Sequence, residues 1–276
     1  MKNFFLLAIT TATTLSVFSQ EKNDTLKIKW KDSRIWIFDV DATPKDTGKK
    51  EEKKKDFTHW GGVDIGLSML TTATNQFRVP EDENGYNTNY FLDLKYGRSL
   101  YLSLNLLEKN IRLYKNYVTF VTGIGIEWDV YNFKNNLILN PDSNSTNSTT
   151  IQLDTTASIK YIKNQLKVAY IKAPLLLEFN TNNTNPNKSF HLAGGLELAY
   201  KIDSWTKQKF EENNYTFKAK RHDDYNLTAL KYGIAVRAGY GGFTLFANYT
   251  LSTLFDKENG PEKPVYPLSA GLAITF

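Results

Sequence analysis

The chain carries three histidines, His59, His191 and His222. Histidine is the usual general base for a serine or cysteine nucleophile. Cysteine is absent, which removes thiolate nucleophiles, thiolate metal sites, disulfides and a lipid anchor on an N-terminal cysteine. Ser189 stands two positions from His191, yet no acid completes a recognisable Ser-His-acid grouping with it. His222 lies in a charged run, residues 218–224 (KAKRHDD), and His59 precedes the first regular segment. No His or Asp/Glu cluster has metal-ligand spacing. The pairs Gly61-Gly62, Gly194-Gly195 and Gly241-Gly242 have no helix behind them to form a phosphate cradle. The reading is therefore of no catalytic residue, no cofactor and no metal.

A second group of charges has a structural pattern. Asp64, Glu127, Asp129, Glu178, Glu197, Lys201, Lys231 and Arg237 each sit within an alternating stretch, on the side opposite the apolar residues. If those stretches are strands of a narrow barrel, the eight point inward. Opposite charges there can pair into a polar network that fills the lumen.

The elements needed to position them are legible from residue 59 onward, where the apolar period is two. Eight segments are expected as strands, near 60–70, 91–107, 117–133, 166–179, 190–202, 227–240, 243–251 and 266–276. In the third, Val118, Phe120, Ile124, Ile126, Trp128 and Val130 alternate with Thr119, Gly123, Gly125, Glu127 and Asp129. The fourth changes parity near Ile171 and contains Pro174, so a bulge is expected there. Segments of about ten residues match a tilted bilayer-crossing strand. The intervening connections alternate long and short, as in outer-membrane barrels, with loops outside and turns in the periplasm. The fold expected is an all-β, eight-stranded antiparallel up-and-down transmembrane barrel.

A soluble lipocalin-like barrel shares that topology but keeps its large apolar residues inside. Here the small and charged set suits the interior, and the Leu, Ile, Val and aromatic set suits lipid. Aromatics near strand ends suggest two interfacial girdles: Trp60, Tyr117, Phe179, Phe190, Tyr240, Phe243 and Phe276 on one side, and Trp128, Tyr131, Phe133, Tyr200, Phe255 and Tyr266 on the other.

Residues 1–19 read as a cleaved signal peptide, with Lys2 ahead of the apolar run FFLLAITTATTLSVF. Residues 20–57 are dense in both charges and read as a flexible periplasmic extension, although 26–40 contains two short alternating pieces able to pair as a hairpin. The barrel is placed at 58–276. A formal net charge of +5 is too mild to imply a nucleic-acid partner.

Four stretches carry a resemblance to a known family: 59–70 (HWGGVDIGLSML), 174–179 (PLLLEF), 196–200 (LELAY) and 266–276 (YPLSAGLAITF). In this order they are similar to the outer-membrane β-barrel domain family common in Bacteroidetes, which includes PorT-like proteins. The charged segment 26–41 also resembles extensions in that family. The resemblance implies the barrel and the outer membrane, but hardly an activity. The ending resembles C-terminal strands whose final aromatic, here Phe276, is recognised by the outer-membrane assembly machinery.

The function expected is an integral outer-membrane protein, structural or interacting through long extracellular loops or as a subunit of a surface assembly. A barrel-embedded lipid A or phospholipid hydrolase and a soluble ligand-binding barrel are the alternatives. Expected partners are outer-membrane lipid and lipopolysaccharide, the assembly machinery and other envelope proteins. The third long loop is basic at Lys207, Lys209, Lys218, Lys220 and Arg221, where lipopolysaccharide phosphates would lie.

Overall fold

The computed structural model describes residues 25–30, 33–38, 59–77, 92–140, 150–153, 159–257 and 264–275. The chain divides into two units, residues 1–54 and 55–276. In the first, β1 (Thr25–Trp30) and β2 (Ser33–Phe38) pair as an antiparallel hairpin, Thr25 opposite Phe38. These strands are the two short alternating pieces within 26–40 that are able to pair as a hairpin, in a segment otherwise read as a flexible extension. Residues 1–19, read from sequence as a signal peptide, and Phe276 lie outside the described residues.

The second unit contains β3 (Gly62–Thr72), β4 (Leu100–Tyr114), β5 (Val118–Asn132), β6 (Leu137–Asn140), β7 (Thr150–Leu153), β8 (Ile159–Asn180), β9 (Phe190–Glu212), β10 (Tyr215–His222), β11 (Leu230–Tyr240), β12 (Phe243–Thr250) and β13 (Val265–Thr275). Eight of them close a ring in the order β3-β4-β5-β8-β9-β11-β12-β13, with β13 returning to β3. Every neighbour is antiparallel. Closure leaves no unpaired edge for lipid to meet. The remaining two pairs belong to long connections: β6 with β7, and β10 with the far half of β9.

The boundaries shift for definable reasons. Residues 92–99 are not strand; Leu94 makes only an isolated bridge to Phe133, and the chain turns at Tyr96–Arg98. β4 instead runs on to Tyr114, because a register shift between Asn105 and Leu107 lets the alternation resume with opposite parity. The irregularity expected near Ile171 is a register shift between Ala169 and Tyr170.

Parity sorts the two faces as expected. Ile65, Leu102, Ile124, Ile171, Leu196, Ile234, Leu245 and Leu272 are all exposed on the outer surface. Contiguous apolar area of this extent is not tolerated in water, and a soluble barrel with an apolar lumen is excluded. Outward aromatics include Tyr117, Phe179, Phe190, Tyr200, Tyr240 and Phe243. Four expected girdle members are corrected: Trp60, Tyr131, Phe133 and Phe255 are buried. Each turns inward because it occupies the interior parity or a connection folded over the barrel mouth.

Candidate functional site

The lumen is filled in three layers. At the short-turn end, the segment before β3 folds into the barrel mouth. His59 Nδ1 lies 2.9 Å from Glu178 Oε1, with both side chains nearly fully buried. Its ring stacks on that of His191, centroids 4.0 Å apart and planes 13° from parallel. His191 Nε2 in turn lies 2.8 Å from Thr244 Oγ1. Burial alone would lower the His59 pKa, but the hydrogen bond and charge of Glu178 outweigh it and raise the value above 6.5. Beside it Trp60 is buried against Val121, Leu176, Ala193 and Ala235. A Cβ on Gly123 would stand 2.7 Å from the Trp60 ring, so only glycine admits the indole here.

The middle layer is an ionic network drawn from six strands. Arg237 on β11 donates from both terminal nitrogens to Asp64 on β3, each at 3.0 Å. Lys172 on β8 is completely buried; its ammonium reaches Glu197 at 3.3 Å, Asp64 at 3.6 Å and Glu127 at 3.9 Å. It also donates to the Tyr101 hydroxyl at 3.0 Å, and Tyr101 donates to Glu127 at 2.8 Å. Lys231 pairs with Glu127 at 2.5 Å and Asp129 at 2.9 Å, and Ser68 donates to Asp129 at 2.8 Å. Carboxylates thus meet cations from facing strands. That is the condition under which buried charge becomes tolerable.

At the long-loop end, Tyr131, Phe133, Leu137, Leu166, Tyr170, Tyr225, Leu227 and Phe255 belong to one buried apolar cluster. The β6–β7 hairpin contributes Leu137 and Leu139 to it. Asn164 Nδ2 holds the Leu137 carbonyl at 2.6 Å.

Six of the eight charges expected inside therefore join the central network: Asp64, Glu127, Asp129, Glu197, Lys231 and Arg237. Glu178 faces inward but belongs to the His59 layer. Lys201 sits above the network, where it donates to the Leu227 carbonyl at 2.8 Å and pairs with Asp224. The hub, Lys172, was missing from the expected set. The signal was partial: it shares the parity of Glu178, opposite Ile171, Ala173, Leu175, Leu177 and Phe179.

His191 faces inward at the short-turn end, as its parity implies, and His222 lies on β10 rather than in a loop. His59, ahead of the first barrel strand, is buried, and His59, Glu178 and His191 come together from distant parts of the chain. The Ser189 hydroxyl does not join them; it donates to the Phe190 carbonyl at 3.0 Å. Among the described residues no group of three or more His, Cys, Asp or Glu is arranged to hold a metal.

The basic loop residues are not on a loop. β9 continues twelve residues past Tyr200 and pairs with β10, so Lys207, Lys209, Lys218 and Lys220 share one face of a hairpin. Arg221 has the other parity and pairs with Asp223 at 3.2 Å.

A closed antiparallel ring, apolar outside and ionic within, defines a transmembrane β-barrel with a filled lumen. The sequence pattern of the outer membrane protein beta-barrel domain matches residues 58–255, and the chain belongs to that family. It is an integral outer-membrane barrel protein. None of the curated proteins matches it. Among solved structures it is similar to Ail, the attachment invasion locus protein of Yersinia pestis, at 14% identity and a TM-score of 0.30. It is likewise similar to Ail in complex with the heparin analogue sucrose octasulfate, at 16% identity and a TM-score of 0.33. Each likeness covers 78% of this chain and 97% of the other.

Proposed function

We propose that this protein is a non-catalytic, non-conducting barrel that acts through its extracellular surface, as a structural or interaction component of the envelope. The observation that carries the reading is the continuity of the filling. The His59–Trp60 layer, the ionic network and the apolar cluster succeed one another along the lumen. An eight-stranded ring leaves no room beside them for a solute path. We include in the proposal export through a cleaved signal peptide at 1–19, a periplasmic extension at 20–57 and a PorT-like place among Bacteroidetes barrels. Its partners are outer-membrane lipid and lipopolysaccharide, other envelope proteins and, during biogenesis, the assembly machinery acting on Phe276.

A hydrolase reading is disfavoured by the same geometry: the buried His59–Glu178 and His191–Thr244 contacts face the lumen, away from lipid acyl chains. The test is the mass profile of lipid A and phospholipids from outer membranes with and without the protein. Identical profiles are expected; a lost or gained acyl or phosphate group that tracks the protein would overturn the non-catalytic reading.

A further inference from the structure

The far halves of β8 and β9, with β10, form a three-stranded sheet beyond the apolar band. Registry places its residues in rows. Lys163, Lys209 and Lys218 stand abreast on the three strands. The next row toward the barrel is Gln165, Lys207 and Lys220, and the one after is Lys167, Trp205 and His222. Like charges directly opposite one another across strands repel, and here three ammonium groups are adjacent with no acid between them. Glu211 and Asp203 border the patch one row to either side, and Asp203 is engaged with His222 at 3.2 Å.

The opposite face of this sheet carries Leu166, Val168, Thr206 and Tyr161–Phe210–Phe217 aromatic contacts. Leu166 and Val168 pack into the extracellular cluster. The lysine face therefore continues the lipid-facing side of the barrel, immediately past Ile171 and Tyr200. Trp205 sits at that boundary, with Lys220 Nζ 5.2 Å and Lys167 Nζ 6.0 Å from its ring centre. An aromatic at the interface with lysines just above it is the arrangement that reaches headgroup phosphate while their stems stay against apolar surface.

We propose that Lys163, Lys167, Lys207, Lys209, Lys218 and Lys220 form a binding face for the phosphate groups of lipopolysaccharide in the outer leaflet. The occupant follows from the sign and density of the charge and from its height just above the lipid-facing band. Arg221, which faces the other way, is not part of it. This inference rests on the membrane embedding proposed above.

The test uses the full chain folded in detergent, checked by heat-modifiable mobility in SDS, and titrated with fluorescent bisphosphorylated lipid A in mixed micelles. The triple variant Lys163→Gln, Lys209→Gln and Lys218→Gln removes one row; Arg221→Gln is the opposite-face control. At low ionic strength the triple variant is expected to bind about a hundred-fold more weakly, since each lysine near an anionic surface contributes roughly a factor of five. Arg221→Gln should stay within about two-fold of the unmodified chain, because that side chain points away from the surface. Lipid A stripped of phosphate should bind the unmodified chain as weakly as the triple variant binds intact lipid A. Undiminished binding by the triple variant, or equal binding of phosphate-free lipid A, would overturn the site. Stronger binding of a soluble sulfated polysaccharide than of lipid A would overturn the choice of lipid. If the unmodified chain shows no heat-modifiable form, the embedding itself fails, a result separate from any of these.

Discussion

Arg237 on β11 holds Asp64 on β3 through two parallel hydrogen bonds of 3.0 Å, although β12 and β13 lie between those strands in the ring. The pair is a brace across the lumen rather than a contact between neighbours. The planar guanidinium matches a carboxylate in a way an ammonium cannot. Breaking one side leaves a buried charge uncompensated. Asp64→Asn and Arg237→Gln should each destabilise the folded barrel by about 3–5 kcal/mol in urea titrations in lipid vesicles. A double variant should cost clearly less than the sum of the two; additivity would show that the pair does not act as a unit.

Lys172 shares its charge among Asp64, Glu127 and Glu197 and stands 5.6 Å from both the Trp60 and Tyr101 ring centres. Lys172→Met keeps the length and removes the charge. It should cost more than about 3 kcal/mol in the same titrations, because several carboxylates lose a common partner. An effect below about 1 kcal/mol, the range of an exposed ion pair, would contradict the hub role.

The His59 pair gives a pH dependence of defined sign. Its pKa is raised above 6.5 in the folded protein, against the burial that opposes it, by the bond to Glu178. A raised value means that the stabilisation is complete below about 6.5, the unfolded value, and is lost as pH rises through the folded one. The stability difference between the unmodified chain and His59→Gln should therefore be largest in mildly acidic buffer and shrink under alkaline conditions. A difference that grows with pH would contradict the pairing.

How much of this was legible in the sequence depended on what each residue alternates with. Asp64, Glu127 and Arg237 sit inside clean apolar alternation, and their inward direction followed. β9 was expected to stop at 202 because Asp203 and Ser204 end the apolar series, whereas the strand continues to Glu212. Beyond them Trp205, Lys207 and Lys209 still alternate, but with polar residues on both faces, which carries no hydropathy signal. Lys172 shares the parity of Glu178, but it also shares that of the apolar Leu166, Val168 and Tyr170, and Pro174 interrupts the pattern between them, so the lumen face of this strand is not marked by polarity. The meeting of His59, Glu178 and His191 needs strand ends to be aligned in space. One-dimensional spacing does not supply that.

The central claim is that the lumen is sealed from end to end, and conductance across a planar lipid bilayer tests it most directly. The heat-modifiable, folded protein should insert and leave the current at baseline under applied voltage, since the His59 layer, the Lys172–Arg237 network and the Tyr131–Phe255 cluster block the path. Reproducible single-channel steps from the unmodified chain, absent when the protein is left out, would contradict it.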